Sequence, residues 1–318
     1  METKVSIIGC GYWGKNLIRN YFELDSLYSV CDENLEIAGN FSSTYKCKSQ
    51  SIEEIINDSS IDGVVIAAPA QSHASLACRI LEANKHVFVE KPLALTLEDA
   101  FAIKDSLRRS NSDLMVGHLL QYHPGFKLLK DLALSGKFGK IKNILSRRSS
   151  FGRIRRNEDV LWSFAPHDIS MVLALSQKMP KKVSRFDQSF LQSNLADISN
   201  LFLEFDEFHA SISVSWIHHK KEQLLKVVCD DALLVFDDTL PWSEKVSVKT
   251  FDLINNEKDI SLIETETHYH PLPENTEPLK IECMHFLDLI HERIDSLTNI
   301  DEGIAVLEVL NSAKFKKS

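Results

Sequence analysis

The sequence predicts an α/β chain: a doubly wound parallel sheet first, then an α+β region built on a largely antiparallel open sheet. Two observations carry this. Up to about residue 120, short, largely apolar runs of β-formers alternate with segments of helical periodicity, as buried parallel strands with intervening helices do. From about residue 141, long strand-like segments dominate, and several alternate apolar with polar residues, which marks a sheet with one wet or partner-covered face. A length of 318 residues fits two domains, placed at 1–120 and 121–318.

In order, Val5–Ile8, Leu27–Cys31, Gly63–Ala67, His86–Val89 and Leu114–Gly117 read as strands of the first domain. Helical spacing joins them at Lys15–Phe22, Leu35–Tyr45, Ile52–Ile56, Ala74–Ala83 and Leu97–Leu107. The second domain reads as strands at Ile141–Arg148, Lys182–Gln192, Ser199–Phe205, Ala210–Ile217, Gln223–Cys229, Ala232–Phe236 and Val246–Phe251. Its helices fall at His123–Ser135, Pro166–Ser176 and Cys283–Ile294, with another over 301–315.

An apolar fraction of 44% supports two real cores and excludes wholesale disorder. The 36 basic against 45 acidic side chains leave a net charge of −9, a surface that repels a polyphosphate backbone and argues against a nucleic-acid partner. Six cysteines without a C-x-x-C pair read as free thiols, and His218-His219 and His268-Tyr269-His270 lack the acids or thiols that would complete a metal site. No leader-like run opens the chain, and no apolar stretch approaches the ~18 residues of a membrane span. The expectation is a soluble, cytoplasmic protein without a metal.

Gly9-Cys10-Gly11-Tyr12-Trp13-Gly14 lies between the first strand and the first helix. The three glycines suit a tight turn, close approach of a pyrophosphate to bare backbone, and close packing of helix on strand. Asp32 follows eighteen residues after Gly14, at the end of the second strand. A carboxylate there accepts hydrogen bonds from ribose hydroxyls and repels a 2′-phosphate, which points to NAD.

Glu90-Lys91-Pro92 stands at the carboxyl end of a parallel strand, where such sheets place ligands, and Trp162-Ser163-Phe164-Ala165-Pro166-His167-Asp168 opens a helix. Alone, that lysine could be a solvated end residue and that histidine a structural hydrogen-bonder. Together with the glycine motif, Ala67-Ala68-Pro69 with His73, Gly117-His118 with Pro124, and the closing Glu277-Pro278-Leu279 and Phe286 region, they resemble the Gfo/Idh/MocA family of oxidoreductases over essentially the whole chain. The resemblance implies a Rossmann domain, a C-terminal α+β domain whose open sheet supports dimers or tetramers, and NAD(P)-dependent hydride transfer at a sugar or cyclitol hydroxyl. It implies that Ala68, Pro69, His73, Glu90 and Lys91 join the cofactor site. Lys91 would contact the substrate hydroxyl and His167 would be the catalytic base, a role that an imidazole of ordinary pKa about 6.5 suits.

The family commonly carries Asp one turn before this histidine; here the position is Ser163, and Asp159 and Asp168 are off the expected spacing. Either the proton relay rests on Lys91 and His167, or activity is altered or lost. Five arginines crowd 147–156, and arginine forks bind phosphate oxygens. They mark either a diphosphate, as on a UDP-linked sugar, or a solvated loop or one paired with another subunit. The Trp162–Asp168 segment resembles the family branch that oxidises C3 of nucleotide-activated N-acetylhexosamines for lipid A or surface-polysaccharide synthesis. Candidate substrate contacts are Lys91, Gln121, Arg153, Arg155, Trp162, Ser163 and His167. Competing readings are a dehydrogenase of another sugar or cyclitol and a non-catalytic NAD-binding regulator.

Overall fold

The structure, a computed structural model, describes residues 3–152, 154–256, 259–274, 276–292 and 294–313. The chain packs as two compact units, one of residues up to Leu119 together with Glu277–Leu307, the other of Leu120–Thr276 with the residues from Glu308 on.

The first unit runs β1 (Val5–Ile8), α1 (Gly14–Glu23), β2 (Leu27–Cys31), α2 (Leu35–Tyr45), β3 (Lys48–Ser49), α3 (Ile52–Asn57), β4 (Gly63–Ile66), α4 (Ala70–Glu82), β5 (His86–Glu90), α5 (Leu97–Arg109) and β6 (Leu114–Gly117). Its sheet is wholly parallel in the order β3-β2-β1-β4-β5-β6. The two-residue β3 is an addition to the sequence reading; exposed Lys48 and Ser49 carry no apolar pattern by which to detect it. Val64, Val65, Ile66, Val87, Phe88 and Val89 are fully buried, as helices on both faces require. Helix starts are set by side chains: Asn34 accepts from the Glu36 and Ile37 N–H groups, Ser51 and Glu54 form a capping box, and Thr96 accepts from Asp99. The strand order reverses between β1 and β4, so the crevice at their carboxyl ends is the ligand position of a doubly wound sheet.

The second unit continues with a 3₁₀ turn (Leu119–Tyr122) and then α6 (Pro124–Leu134), β7 (Ile141–Phe151), α7 (Val160–Ser176), β8 (Lys182–Gln188), β9 (Ile198–Glu204), β10 (His209–Ser215), β11 (Ile217–Cys229), β12 (Ala232–Asp237), β13 (Val246–Asn256) and β14 (Asp259–Tyr269). Eight strands form one sheet, ordered β14-β13-β12-β11-β7-β10-β9-β8, antiparallel except for the parallel pair β7–β10. Helices α6 and α7 cover one face. The opposite face carries exposed aromatic side chains, among them Phe186 and Phe202. Among the described residues no helix is long and apolar enough to cross a membrane.

Three expectations are corrected. First, the chain does not stay in the second domain after residue 121: α8 (Pro278–Glu292) and the start of α9 (Ile300–Ser312) belong to the first unit. Phe286 of α8 packs edge-on against Tyr21 of α1 and Phe88 of β5, at centroid distances of 6.5 and 5.8 Å, and Gly63 leaves room for it. Second, β13 is longer than expected and β14 is added; the polar stretch 264–268 hides a hairpin whose ladder the backbone pairing makes plain. Third, α7 starts at Val160, not at Pro166. Asp159 caps it by accepting from the Trp162 N–H at 3.1 Å, and Pro166 lies inside the helix. Leu161, Ala165, Ile169 and Val172 are fully buried, so packing on the sheet outweighs the loss of one helical hydrogen bond.

Asp197, fully buried before β9, ties the second unit's edge together. Its carboxylate accepts from the Trp216 indole at 2.6 Å and from the backbone N–H groups of Phe190 and Leu191 at 2.6 and 2.8 Å. Asp197→Ala leaves three donors without their acceptor, so thermal unfolding should show a loss of about 3 kcal/mol or more. A change within experimental error would show that the network contributes nothing.

Candidate active site

The glycine-rich turn follows β1. Gly9 has φ +101°, and a Cβ there would stand 2.6 Å from the Ala67 carbonyl. A Cβ on Gly14 would stand 1.9 Å from the Gly9 oxygen, which leaves only hydrogen at that position. At Gly11 a Cβ would meet nothing within 4 Å: the bare backbone faces open space there. Trp13, at the N-cap of α1, supplies no side-chain cap. A turn that needs left-handed backbone, an open backbone face and an uncapped helix N-terminus together fit the diphosphate of NAD.

Asp32 fixes this turn to the end of β2. One carboxylate oxygen accepts from the Cys10 N–H at 2.8 Å, the other from Asn34 N–H at 2.9 Å. Both oxygens keep a further lone pair, the chemistry needed for ribose hydroxyls. Tyr12 is 73% exposed, with the Lys15 ammonium over its ring. Ala68 and Pro69 lead into α4. His73 is buried with its two ring nitrogens on the carbonyls of Pro92 (2.8 Å) and Ala68 (2.9 Å), and burial holds it below the ordinary imidazole range. Its ring is thus spent on tying the Ala68–Pro69 turn to Pro92, and any part it plays in binding is through those segments.

Glu90 joins the turn to the lysine. Its Oε1 accepts from the Trp13 indole at 2.5 Å and its Oε2 from the Lys91 N–H at 3.3 Å. Burial pushes this carboxyl up to about 7, while the indole, the Lys91 ammonium and N–H, and His118 pull it back. Lys91 follows directly, its bond to Pro92 cis, at the carboxyl end of β5.

Sequence reasoning missed the acid behind this cluster. Glu282 is fully buried on α8, and neither carboxyl oxygen has a hydrogen-bond partner among the described residues. Burial first, and then the Glu90 charge, raise it well above the carboxylate range. The signal for it in the sequence is an acid placed between Ile281 and Cys283, in step with the apolar residues of α8.

In the second unit, α7 carries Trp162 and His167 half-buried and Ser163 buried, and Ser163 lies one helical turn before His167. Gln121 is buried, its amide donating to the Ser170 carbonyl and hydroxyl at 3.0 and 2.8 Å, which makes it a brace for this helix. Neither nearby acid substitutes for the missing one. Asp168 is held by Arg148 at 2.7 Å and Ser146 at 2.6 Å; Asp159 caps the helix and pairs with Arg185 at 2.5 Å. The arginine cluster divides accordingly: Arg148 serves Asp168, Arg147 faces Glu222 at 3.5 Å, and exposed Arg155 pairs with Glu158 at 2.9 Å. Arg153 lies outside the described residues.

Two measurements check this geometry. Gly14→Ala should weaken NAD binding by at least about tenfold, only ~1.4 kcal/mol, in a titration of intrinsic fluorescence. Because folding raises the Glu90 pKa, its contribution to stability is fully present below about 4.5 and is lost as pH climbs through about 7. Thermal midpoints between pH 5 and 8 should therefore fall more steeply for the wild type than for Glu90→Gln, the difference reaching on the order of 3 kcal/mol. Parallel curves would refute the assignment.

Residues 3–118 match the family model described as "Oxidoreductase family, NAD-binding Rossmann fold". Over 185 residues the chain is 26% identical to the UDP-N-acetylglucosamine 3-dehydrogenase of Acidithiobacillus ferrooxidans, covering 58% of this chain and 57% of that one. Over 215 residues it is 26% identical to the inositol 2-dehydrogenase of Salmonella typhimurium, covering 64% of each. The chain thus spans somewhat more than half the length of these two relatives. A solved structure of the Acidithiobacillus ferrooxidans enzyme superposes with a TM-score of 0.84 at 20% identity, covering 98% of both chains, a likeness of fold. Residues 3–118 belong to the Gfo/Idh/MocA oxidoreductase family, whose NAD-binding Rossmann fold they form.

Proposed function

We propose that the protein is an NAD-dependent dehydrogenase that oxidises the C3 hydroxyl of a nucleotide-linked N-acetylhexosamine to the 3-keto sugar. The observation that carries this reading is Lys91, set at the carboxyl end of β5 and joined through Glu90 to the glycine-rich turn that suits NAD. Similarity to a UDP-N-acetylglucosamine 3-dehydrogenase supports the substrate class.

Bound NAD supplies the hydride acceptor. The glycine turn would hold its diphosphate and Asp32 its ribose. His167 takes the hydroxyl proton as the C–H bond breaks, which calls for a base with a pKa near neutrality. The Lys91 ammonium steadies the developing alkoxide. Ser163, one turn before His167, offers a hydroxyl where the family has a carboxylate, so the proton relay rests on Lys91 and His167. Arg155 and Arg156, both exposed, are the described arginines that a diphosphate could recruit, since the surface pair of Arg155 with Glu158 is weak. The sheet face bearing Phe186 (63% exposed) and Phe202 (52%), in edge-to-face contact at 5.9 Å, is where we place a second copy of the chain in a dimer or tetramer.

Ser163 favours a second reading, an NAD-binding regulator without turnover. Similarity to an inositol dehydrogenase favours another, a cyclitol substrate. NADH formation on adding UDP-N-acetylglucosamine, free N-acetylglucosamine or inositol separates the three. Turnover is expected with the UDP-sugar, and reaction of inositol alone would overturn the proposal. Lys91→Ala and His167→Asn should each lower kcat by about 10²–10⁴-fold while NAD still binds. Wild-type turnover in either would remove that residue from the mechanism.

A further inference from the structure

Glu302 stands in the first turn of α9 and meets the Nδ1 of His118, whose side chain is 2% exposed, just beyond β6. A carboxylate only accepts, so Nδ1 carries the proton. Three sets of contacts seat this acid. The Val116 N–H donates to the Thr298 carbonyl and the Thr298 hydroxyl to the Val116 carbonyl, both at 2.7 Å. Asn299 Oδ1 accepts from the N–H groups of Asp301 and Glu302 at 3.0 Å. Gly303 lies so close to its neighbours that a Cβ would stand 2.9 Å from Val116 Cγ2 and 3.0 Å from Leu93 Cδ2. The helix start therefore presses on the strand that leads to His118 and on the residue that follows Glu90-Lys91-Pro92.

His118 is in turn one of the groups acting on the Glu90 carboxyl. The others are Lys91 at the end of β5 and the Trp13 indole from the glycine-rich turn; Gly117, just before His118, is the sheet partner of Glu90, and a Cβ there would stand 3.0 Å from its carboxyl carbon. Glu90 in turn raises the buried Tyr21 of α1 and Glu282 and Cys283 of α8. Acidic and basic groups thus alternate from Glu302 through His118 and Glu90 to Lys91. We propose that Glu302 is a positioning residue for Lys91, acting through His118 and Glu90. The effect on turnover rests on the role given to Lys91 above; the effect on Glu90 does not.

Glutamine in place of Glu302 keeps the shape and removes the carboxyl that holds Nδ1, and so releases the basic imidazole from its place beside Glu90. Glu90 then holds its proton to higher pH, and the Lys91 ammonium loses its neighbouring anion over that range. Titration of the Glu90 carboxyl by carbon NMR in the NAD-free protein, with Glu90→Gln identifying the signal, reads this directly. Glu302→Gln should move the Glu90 midpoint upward by about half a pH unit or more. The acid limb of kcat should move the same way while NAD affinity holds. Glu302→Asp, which keeps the charge, should restore the wild-type titration. A folded Glu302→Gln protein with an unmoved Glu90 midpoint overturns the proposal, whatever the substrate. If that variant does not fold, His118→Asn carries the same expectation and the same refutation. Absence of turnover with every sugar would sink the dehydrogenase reading and leave the Glu90 titration as the test of this one.

Discussion

Burying one carboxyl is the constraint on which the NAD-binding unit turns. Glu90 sits where the glycine-rich turn, the end of β5 and the end of β6 converge, so close that a Cβ on Gly117 would stand 3.0 Å from its carboxyl carbon. An isolated carboxylate in such a place costs several kcal/mol, and the surroundings offset this with an indole N–H, a backbone N–H and two basic side chains. These groups come from three segments, with Lys91 supplying both its N–H and its ammonium. The energy that keeps Glu90 satisfied is therefore also what aligns Trp13, Lys91 and His118 with one another. Leu93 and Pro92, held by Gly303 and His73, fix the same stretch mechanically.

The fold was legible where local pattern and burial agree. The largely apolar β1, β4, β5 and β6 and their intervening helices follow from local pattern, and the glycine turn follows from spacing. Elements without an apolar pattern to mark them were not legible: β3 shows two exposed polar residues, and the stretch 264–268 of β14 is polar throughout. Nor was the return of α8 and α9 into the first unit. Phe286 and Gly63 are 223 positions apart, and nothing in either neighbourhood says they touch. A long-range contact of this kind has no local periodicity to betray it.

The candidate site divides along the same line. Residue types that the proposed chemistry calls for, the glycines, Asp32, Lys91 and His167, could be named from the sequence. The residues that tune them could not be ranked, because tuning depends on who is buried beside whom. Glu282 reads as one of three acids on α8 until both its oxygens prove to be enclosed. Glu302 reads as a favourable charge at a helix N-terminus, and that account is correct as far as it goes. Only its side-chain partner, 184 positions earlier, gives it a second role.

The arginines make the opposite case, in which a conspicuous pattern loses content on folding. Five in ten residues look like one basic patch, yet Arg147 and Arg148 occupy successive positions of β7 and so point to opposite faces of the sheet. Arg148 turns toward α7, where Asp168 is 1% exposed and has the Ser146 hydroxyl on its other oxygen; that buried pair needs a full positive charge and cannot release it to a ligand. Arg147 goes to the other face and to Glu222. What looked like excess charge is therefore partly internal structure, and the Asp168 that it neutralises is removed from proton transfer by the same contact. The acid next to His167 in sequence is thus committed to Arg148 and Ser146, so the dehydrogenase reading proposed above has to take its charge from residues other than Asp168.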